Sequence, residues 1–245
     1  MHIEAIQTHK IGVEDSLPKV LDQYLQDLND KNIVIITSKI ISIMQNRLVP
    51  KNNTDKRRLI EQEADLILET DNPAFQELYL TIKNGQLIPS AGIDESNVDN
   101  VYVLYPENIA ETAAEIWAHL RKHHHLKNLG IVIVDSHVTP MRRGVTGIAL
   151  AWCGFEPLYS YIDKPDIYDH PLKVTQVNIL DALAVPAVFM MGEGNEQTPL
   201  ALIKNAPKIS FVDRAPTEEE RKSILIPMEE DLYGPLLQAG KWVKT

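Results

Sequence analysis

Hydrophobic spacing along the chain predicts an interleaved set of strands and helices. Residues 32–37, Asn-Ile-Val-Ile-Ile-Thr, form a β-branched run of the kind found in buried strands. Residues 129–134 are the most strand-like segment and break off at Asp135-Ser136, while 101–104 and 209–212 read as shorter strands. Residues 78–82 and 86–88 flank Asn84-Gly85, and both turn positions tolerate positive φ, which predicts a hairpin. Helical spacing runs through 55–70, where Leu59, Ile60, Ala64, Ile67 and Leu68 back a charged outer face. It recurs at 110–122, with Ile116, Trp117 and Leu120 on one stripe, and residues 177–185 are also predicted helical. Residues 218–240 read as a helical tail, polar and then apolar. Interleaving together with a hairpin gives an α+β class with mixed sheets and helices. No repeat, low-complexity tract or linker is visible.

Charge narrows the partners. Against 24 Lys+Arg stand 34 Asp+Glu, a formal charge of -10, which argues against broad capture of nucleic acid or an anionic membrane surface. A local basic patch would still bind phosphate. The single cysteine, Cys153, excludes an intramolecular disulfide and a Cys-based zinc site, and its apolar neighbours make it a small buried thiol. Residues 1–12 lack the apolar core of a secretory signal. The longest apolar run, 182–191, is interrupted by Pro186 and falls short of the about 20 residues that a span needs. A soluble, cytoplasmic protein with no membrane partner is expected.

Candidate chemistry gathers in segments that follow strands. Asp135 and Ser136 end a strand, where a carboxylate entering a crevice suits Mg²⁺ or Mn²⁺, although Asp-Ser also begins turns. In Ser-Ala-Gly-Ile-Asp-Glu-Ser-Asn at 90–97, small residues allow close backbone approach while Asp94 and Asn97 offer oxygen donors. In Met-Gly-Glu-Gly-Asn-Glu-Gln-Thr-Pro at 191–199, glycines flank Glu193, which fits a loop that wraps phosphate or exposes a carboxylate to metal. It lacks the Gly-Lys-Ser/Thr of a Walker loop and the glycine spacing of a dinucleotide fingerprint. Cations stand at Ser38-Lys39, after the first buried strand, and at Arg142-Arg143-Gly144. Three acids with separate phosphate-sized cations would build a site for a metal-bound nucleotide. His123-His124-His125 reads instead as a solvated helix end, because consecutive helical residues do not share a face and no spaced carboxylate partner is evident. His137 is not assigned as a base.

These pieces together resemble the coenzyme F420-0:gamma-glutamyl ligase family, a likeness that runs from about Ile33 to Asn205. It rests on Thr37-Ser38-Lys39-Ile40-Ile41-Ser42, the 90–98 segment, Val134-Asp135-Ser136 with Pro140, Arg142, Gly144 and Thr146, Asp166-Ile167-Tyr168 with Leu172, Val174 and Thr175, and Gly192-Glu193-Gly194 leading to Thr198-Pro199. The resemblance implies a ligase domain at 1–210 with a helical tail at 211–245 packed on it, in a family-specific homodimeric fold. It implies amide formation between L-glutamate and a carboxylate acceptor of the folate/pterin or F420-0 type, through an acyl phosphate. GTP or ATP would be the cosubstrate, with two divalent cations, Mg²⁺ or Mn²⁺, and K⁺ as a further candidate. Asp94, Asp135, Ser136 and Glu193 match the metal positions. Ser38, Lys39, Asn97, Gly192, Gly194, Asn195 and Thr198 match nucleotide positions, and Lys39 and Arg142 would add positive charge at the reacting phosphate. The Thr8-His9-Lys10-Ile11 segment corresponds loosely to the family's N-terminal nucleotide segment.

The chain departs from the family pattern at Ile43, Thr139, Gly147 and Asp169, where the family usually has a lysine, an arginine, an acid and a glycine. Those departures bear on the acceptor and favour the folate branch slightly. Two alternatives stay open: a metal-dependent phosphohydrolase, and a non-catalytic nucleotide- or pterin-binding homologue. With about 40 residues after the matched region, the nitroreductase-like extra domain of some relatives, and with it a redox function, is not expected.

Overall fold

A computed structural model describes residues 1–70 and 78–244; residues 71–77 and 245, which belong to the two expected domains, lie outside the described residues. The chain runs β1 (His2–Ile6), α1 (Leu17–Tyr24), β2 (Asn32–Thr37), α2 (Ser38–Met44), β3 (Leu48–Pro50), α3 (Lys56–Glu63) and β4 (Leu66–Glu69). A hairpin of β5 (Leu80–Lys83) and β6 (Gln86–Pro89) follows, then β7 (Val101–Val103), α4 (Ile109–His123), β8 (Leu129–Val138) and β9 (Val145–Cys153). The remainder is β10 (Leu158–Ser160), β11 (Gln176–Asn178), α5 (Ile179–Met191), β12 (Leu200–Lys204), α6 (Glu218–Ser223), α7 (Gly234–Gln238) and β13 (Lys241–Lys244).

β2 lies at the centre of a five-stranded sheet of order β1-β12-β2-β8-β9. Its pairing with β8 is parallel and the other pairings are antiparallel. Helices cover both faces, which is why the strand reads as an unbroken apolar run. Val34 and Ile36 pack toward α1, α2 and α4, with Leu21, Ile41 and Leu120. Ile33 and Ile35 pack on the opposite face against α5, with Leu180, Leu183 and Ala187. A bulge interrupts the β8–β9 ladder: Ile133 pairs with Ala151 but Val134 with Ala149, leaving Leu150 unpaired. The bulge frees Leu150 to join Ile88 and Tyr105 in a small cluster that links the large sheet to the second layer.

That second layer is a four-stranded antiparallel sheet, β13-β4-β5-β6, beside the short β3–β7 ladder. Its core gathers Leu59, Ile60, Ile67, Ile93 and Leu104. The β5–β6 hairpin turns through Asn84 and Gly85 at φ 52° and 74°, as the Asn-Gly signal requires. With seven α-helices among the described residues, the class is α+β with mixed sheets. No helix among the described residues is long and apolar enough to cross a membrane.

Five expected elements change. The helix expected over 55–70 is α3 followed by β4. Asp55 caps its start by accepting from the backbone N–H groups of Arg57 and Arg58, Ala64 turns extended, and Leu66 and Ile67 pair with Ile82 and Thr81. The strand at 129–134 continues past Asp135 to Val138, because β9 still offers a partner there. Residues 177–185 begin in β11 before α5 carries on to Met191, and 209–212 forms only an isolated bridge between Phe155 and Phe211. The tail is helical only in the short α6 and α7, and its final strand β13 pairs with β4, completing the small sheet.

Candidate active site

Parallel pairing of β2 and β8 places their carboxyl ends side by side, the usual position for a ligand crevice in such sheets. Thr37 is in register with Val134, so Ser38 and Asp135 emerge together. Ser38 Oγ donates to Asp135 Oδ2 at 2.8 Å, and the Ser136 backbone N–H donates to Oδ1 at 2.7 Å. Burial pushes the Asp135 carboxyl above the usual range; these two hydrogen bonds and Lys39 oppose that rise, and the neighbouring Asp94 charge adds to it.

Asp94 arrives from the opposite wall. Ser90, Ala91 and Gly92 all hold positive φ, at 50°, 54° and 72°. At Gly92 a side chain would also collide, since a Cβ would sit 2.9 Å from Tyr105 Cδ2. After this sharp turn, the Asp94 N–H donates to the Val103 carbonyl at 2.9 Å and its own carbonyl accepts from Val103 N–H at 2.8 Å, which fixes the residue against β7. Its Oδ1 accepts from the N–H groups of Glu95 and Ser96 at 2.6 and 2.7 Å. Lys39 Nζ lies 2.6 Å from Oδ2 and donates to Ser96 Oγ at 2.8 Å. Desolvation works to raise the Asp94 carboxyl but is outweighed by the Lys39 charge and the Ser96 bonds, which hold it below the usual range.

The third wall is the 192–199 loop. Gly192, at φ 78°, ends α5 and turns the chain away. Gly194 N–H donates to Glu196 Oε2 at 2.8 Å, and Thr198 Oγ1 donates to the Met191 carbonyl. Backbone bonds from Thr8 N–H to Gln197 O (2.9 Å) and from Thr37 N–H to Pro199 O (3.0 Å) tie the loop to the ends of β1 and β2. Burial raises the Glu193 carboxyl, and the Asp135 and Asp94 charges add to the rise against the pull of Lys39.

Together the three walls enclose a cleft of about 500 Å³. Asp94, Asp135, Ser136 and Glu193 line it, as do Lys39, Asn97, Gly192, Gly194, Asn195 and Thr198. Ser38 stands behind Asp135 and acts on it through its hydroxyl. Arg142 is not in the wall: it is exposed in the turn at the tip of the β8–β9 hairpin, and its N–H donates to Thr139 O at 3.2 Å. Lys10, Asp99 and Glu196 line the cleft without a role assigned from sequence, and Ser96 bridges Lys39 and Asp94. Only the loose match of residues 8–11 hinted at Lys10.

The departures from the family pattern have local structural readings. Ile43 lines the cleft, so the wall there is apolar. A Cβ on Gly147 would fall 2.4 Å from Ala184 O, so α5 packs where an acidic side chain would stand. Asp169 keeps φ at 63°, the left-handed conformation that a glycine adopts freely and an aspartate tolerates.

Three carboxylates and the Ser136 hydroxyl form an all-oxygen donor set that fits hard divalent cations. Lys39 is a cation whose charge acts on all three carboxylates, so cation binding would offset the burial and mutual repulsion that raise Asp135 and Glu193.

A protein-family model described as F420-0:Gamma-glutamyl ligase matches residues 5–205. Coenzyme F420:L-glutamate ligase of Methanococcus maripaludis strain S2 is 31% identical over 239 residues, covering 91% of this chain and 92% of that protein. The protein of the same name from Methanosarcina mazei is 30% identical, covering 83% of this chain and 86% of its own length. That from Methanocaldococcus jannaschii is 26% identical, covering 91% and 92% respectively. A match over most of the length, with the carboxylates gathered in one cleft, leads to one conclusion: the chain belongs to the F420-0:gamma-glutamyl ligase family, whose members are amide-forming ligases.

Proposed function

We propose that this chain is a metal- and nucleoside triphosphate-dependent gamma-glutamyl ligase that joins the amine of L-glutamate to a carboxylate acceptor through an acyl phosphate. The observation that carries the proposal is the convergence of Asp94, Asp135 and Glu193 in a cleft of about 500 Å³ walled by a doubly anchored glycine-rich loop. F420-0 is the acceptor to test first, because it appears in the description of the family and coenzyme F420 in the relatives' names; a folate-type acceptor is the second.

A carboxylate and an amine do not condense in neutral water, so the acceptor carboxylate must first be activated. Its oxygen would attack the γ-phosphorus, expelling nucleoside diphosphate. The glutamate amine would then attack the acyl carbon, releasing phosphate and losing a proton. Asp94, Asp135, Ser136 and Glu193 would hold two divalent cations, Mg²⁺ or Mn²⁺, which supply charge neutralisation on the phosphates. Lys39, which pairs with Asp94 across the cleft, would offer its ammonium to the transferring phosphoryl group. Asn97 and the 192–198 loop, with Gly194, Asn195 and Thr198, would position GTP or ATP. The Ser38 hydroxyl orients the Asp135 carboxylate. K⁺ is a further cation to include among the assay conditions.

We place a second copy of the chain against the outer face of α5. Val185 and Phe189, four residues apart, and Met190 are exposed there although the opposite stripe is core, and Phe189 is 83% exposed. Sedimentation at micromolar concentration tests that dimer.

The activity is tested by mass spectrometry of acceptors incubated with L-glutamate, GTP or ATP, and Mg²⁺ or Mn²⁺. A glutamate-dependent adduct on F420-0 or a folate-type acceptor is the expected result. Glutamate-independent phosphate release without an adduct would replace the ligase with a phosphohydrolase. Nucleotide binding with neither product would leave a binding protein.

A further inference from the structure

Away from the cleft, α1 and α4 pack against the same face of the large sheet, where Leu21 of α1 and Leu25 just after it share a core with Ala113, Ile116, Trp117 and Leu120 of α4. At the edge of that contact, His119 and His123 stand one turn apart on α4, the i,i+4 spacing that puts two imidazoles on one face. Asp22 of α1 faces them. Its Oδ1 lies 2.7 Å from His119 Nε2 and 3.5 Å from His123 Nδ1. One ligand atom from each residue falls within 4.8 Å of the others. The sequence concealed this cluster, since attention to His123-His124-His125 overlooks both the histidine a turn earlier and a carboxylate 97 positions from His119.

We propose that Asp22, His119 and His123 form a transition-metal site that clips α1 to α4. Two imidazole nitrogens and one carboxylate oxygen make a mixed donor set that suits Zn²⁺, Co²⁺ or Ni²⁺ and is ill-suited to Mg²⁺ or Ca²⁺, which take oxygen. Bonds of about 2.0–2.1 Å to a tetrahedral ion set ligand atoms roughly 3.3 Å apart. The distances of 2.7 and 3.5 Å bracket that spacing and the ligand atoms all lie within 4.8 Å of one another, so side-chain rotations would seat the ion. Asp22 and His119 are half-buried and His123 is exposed, which leaves the cluster open for exchange with solvent and for a water in the fourth position. His124 packs its ring 4.8 Å from that of His123, and its Nε2 is buried without a hydrogen-bond partner among the described residues. None of the three proposed ligands lines the carboxylate cleft, so this site and that one are separable.

The ion would add a cross-link between two elements that already meet through apolar packing and the contacts of Asp22 with the two histidines. Binding of an ion to the folded chain alone stabilises it by mass action. Tyr24, at the end of α1, accepts from the His9 backbone N–H at 2.8 Å, and His9 lines the cleft. An ion that fixes α1 therefore also steadies one wall of the cleft.

The test is calorimetric titration of the untagged full-length protein with Co²⁺ in excess Mg²⁺, followed by melting curves with and without the ion and by the visible spectrum of bound Co²⁺. Expected are one Co²⁺ per chain that excess Mg²⁺ does not displace, a tetrahedral spectrum, and a raised melting temperature. His119→Ala and His123→Ala should each lower Co²⁺ affinity at least tenfold and abolish the metal-dependent shift, while Asp135→Asn keeps both. His119→Gln, which retains a polar side chain, guards against a folding artefact: its metal-free melting should match the wild type. Unchanged Co²⁺ binding in both histidine variants would overturn the site. So would loss of binding in His124→Ala/His125→Ala with His119 and His123 intact, or in Asp135→Asn.

Discussion

Asp94 and Asp135 face the same cleft, yet their surroundings push them in opposite directions. Asp94 sits on a loop, paired with Lys39 and accepting two backbone N–H bonds, and is held ionised below the usual carboxylate range. Asp135 sits in the sheet, deeper and with no ion-pair partner among the described residues, and burial raises it. The first carboxylate is neutralised within the protein, whereas the second is left short of positive charge. A carboxylate of the second kind is costly unless an incoming cation completes it, which marks Asp135 as the anchor of the proposed metal centre.

The sharpest break in that contrast is Asp135→Asn. We expect ligation to fall by at least roughly 1,000-fold, comparable to losing a principal charge-stabilising group, while the chelated protein melts higher than wild type. Turnover assays and melting curves on one preparation read both effects. Lys39→Ala comes next, with kcat reduced by roughly 100- to 1,000-fold, and it should abolish the lowering of the Asp94 carboxyl, which carbon-detected NMR titration would report.

The contrast also sets a pH dependence. In chelator, Asp135 and Glu193 hold protons more tightly folded than unfolded, so their contribution to stability declines as pH rises above the unfolded carboxylate range through the folded values. Asp94 does the reverse: its contribution is present above the unfolded value and is lost as pH falls through the lowered one. Denaturant melts from pH 3 to 8 should show the high-pH decline in wild type and a weaker decline in Asp135→Asn, with saturating Mn²⁺ removing it. Gly147→Glu forces a side chain against the Ala184 carbonyl and should cost about 1–3 kcal/mol in urea melts. Smallest of all is Arg142→Ala: since Arg142 stands outside the cleft wall, we expect a KM change of less than about tenfold with kcat preserved.

Legibility in the sequence followed the same division between sheet and loop. β2 and the first part of β8 were readable because strands buried on both faces leave a continuous β-branched signature, and Asn84-Gly85 announced its hairpin. Leu66, Ile67 and Leu68 fit helix and strand spacing equally, and only pairing with β5 and β13 decides for β4. The extension of β8 past Asp135 depends on β9, a partner that local pattern does not reveal. In the cleft, the carboxylates were found through the motifs that carry them, but the ion pair of Lys39 with Asp94 joins segments far apart in sequence. Arg142 looked equivalent to Lys39 as a cation after a strand, and only the hairpin's length carries it out of the wall.

The central claim is that the cleft joins glutamate to its acceptor only when divalent cations complete Asp135 and its neighbours. Single-turnover ligation by chelated protein with F420-0, L-glutamate and GTP, titrated with Mn²⁺ and followed by mass spectrometry, tests it most directly. The account predicts no adduct in chelator and an adduct that rises with Mn²⁺ to saturation. Full adduct formation in chelator would contradict it.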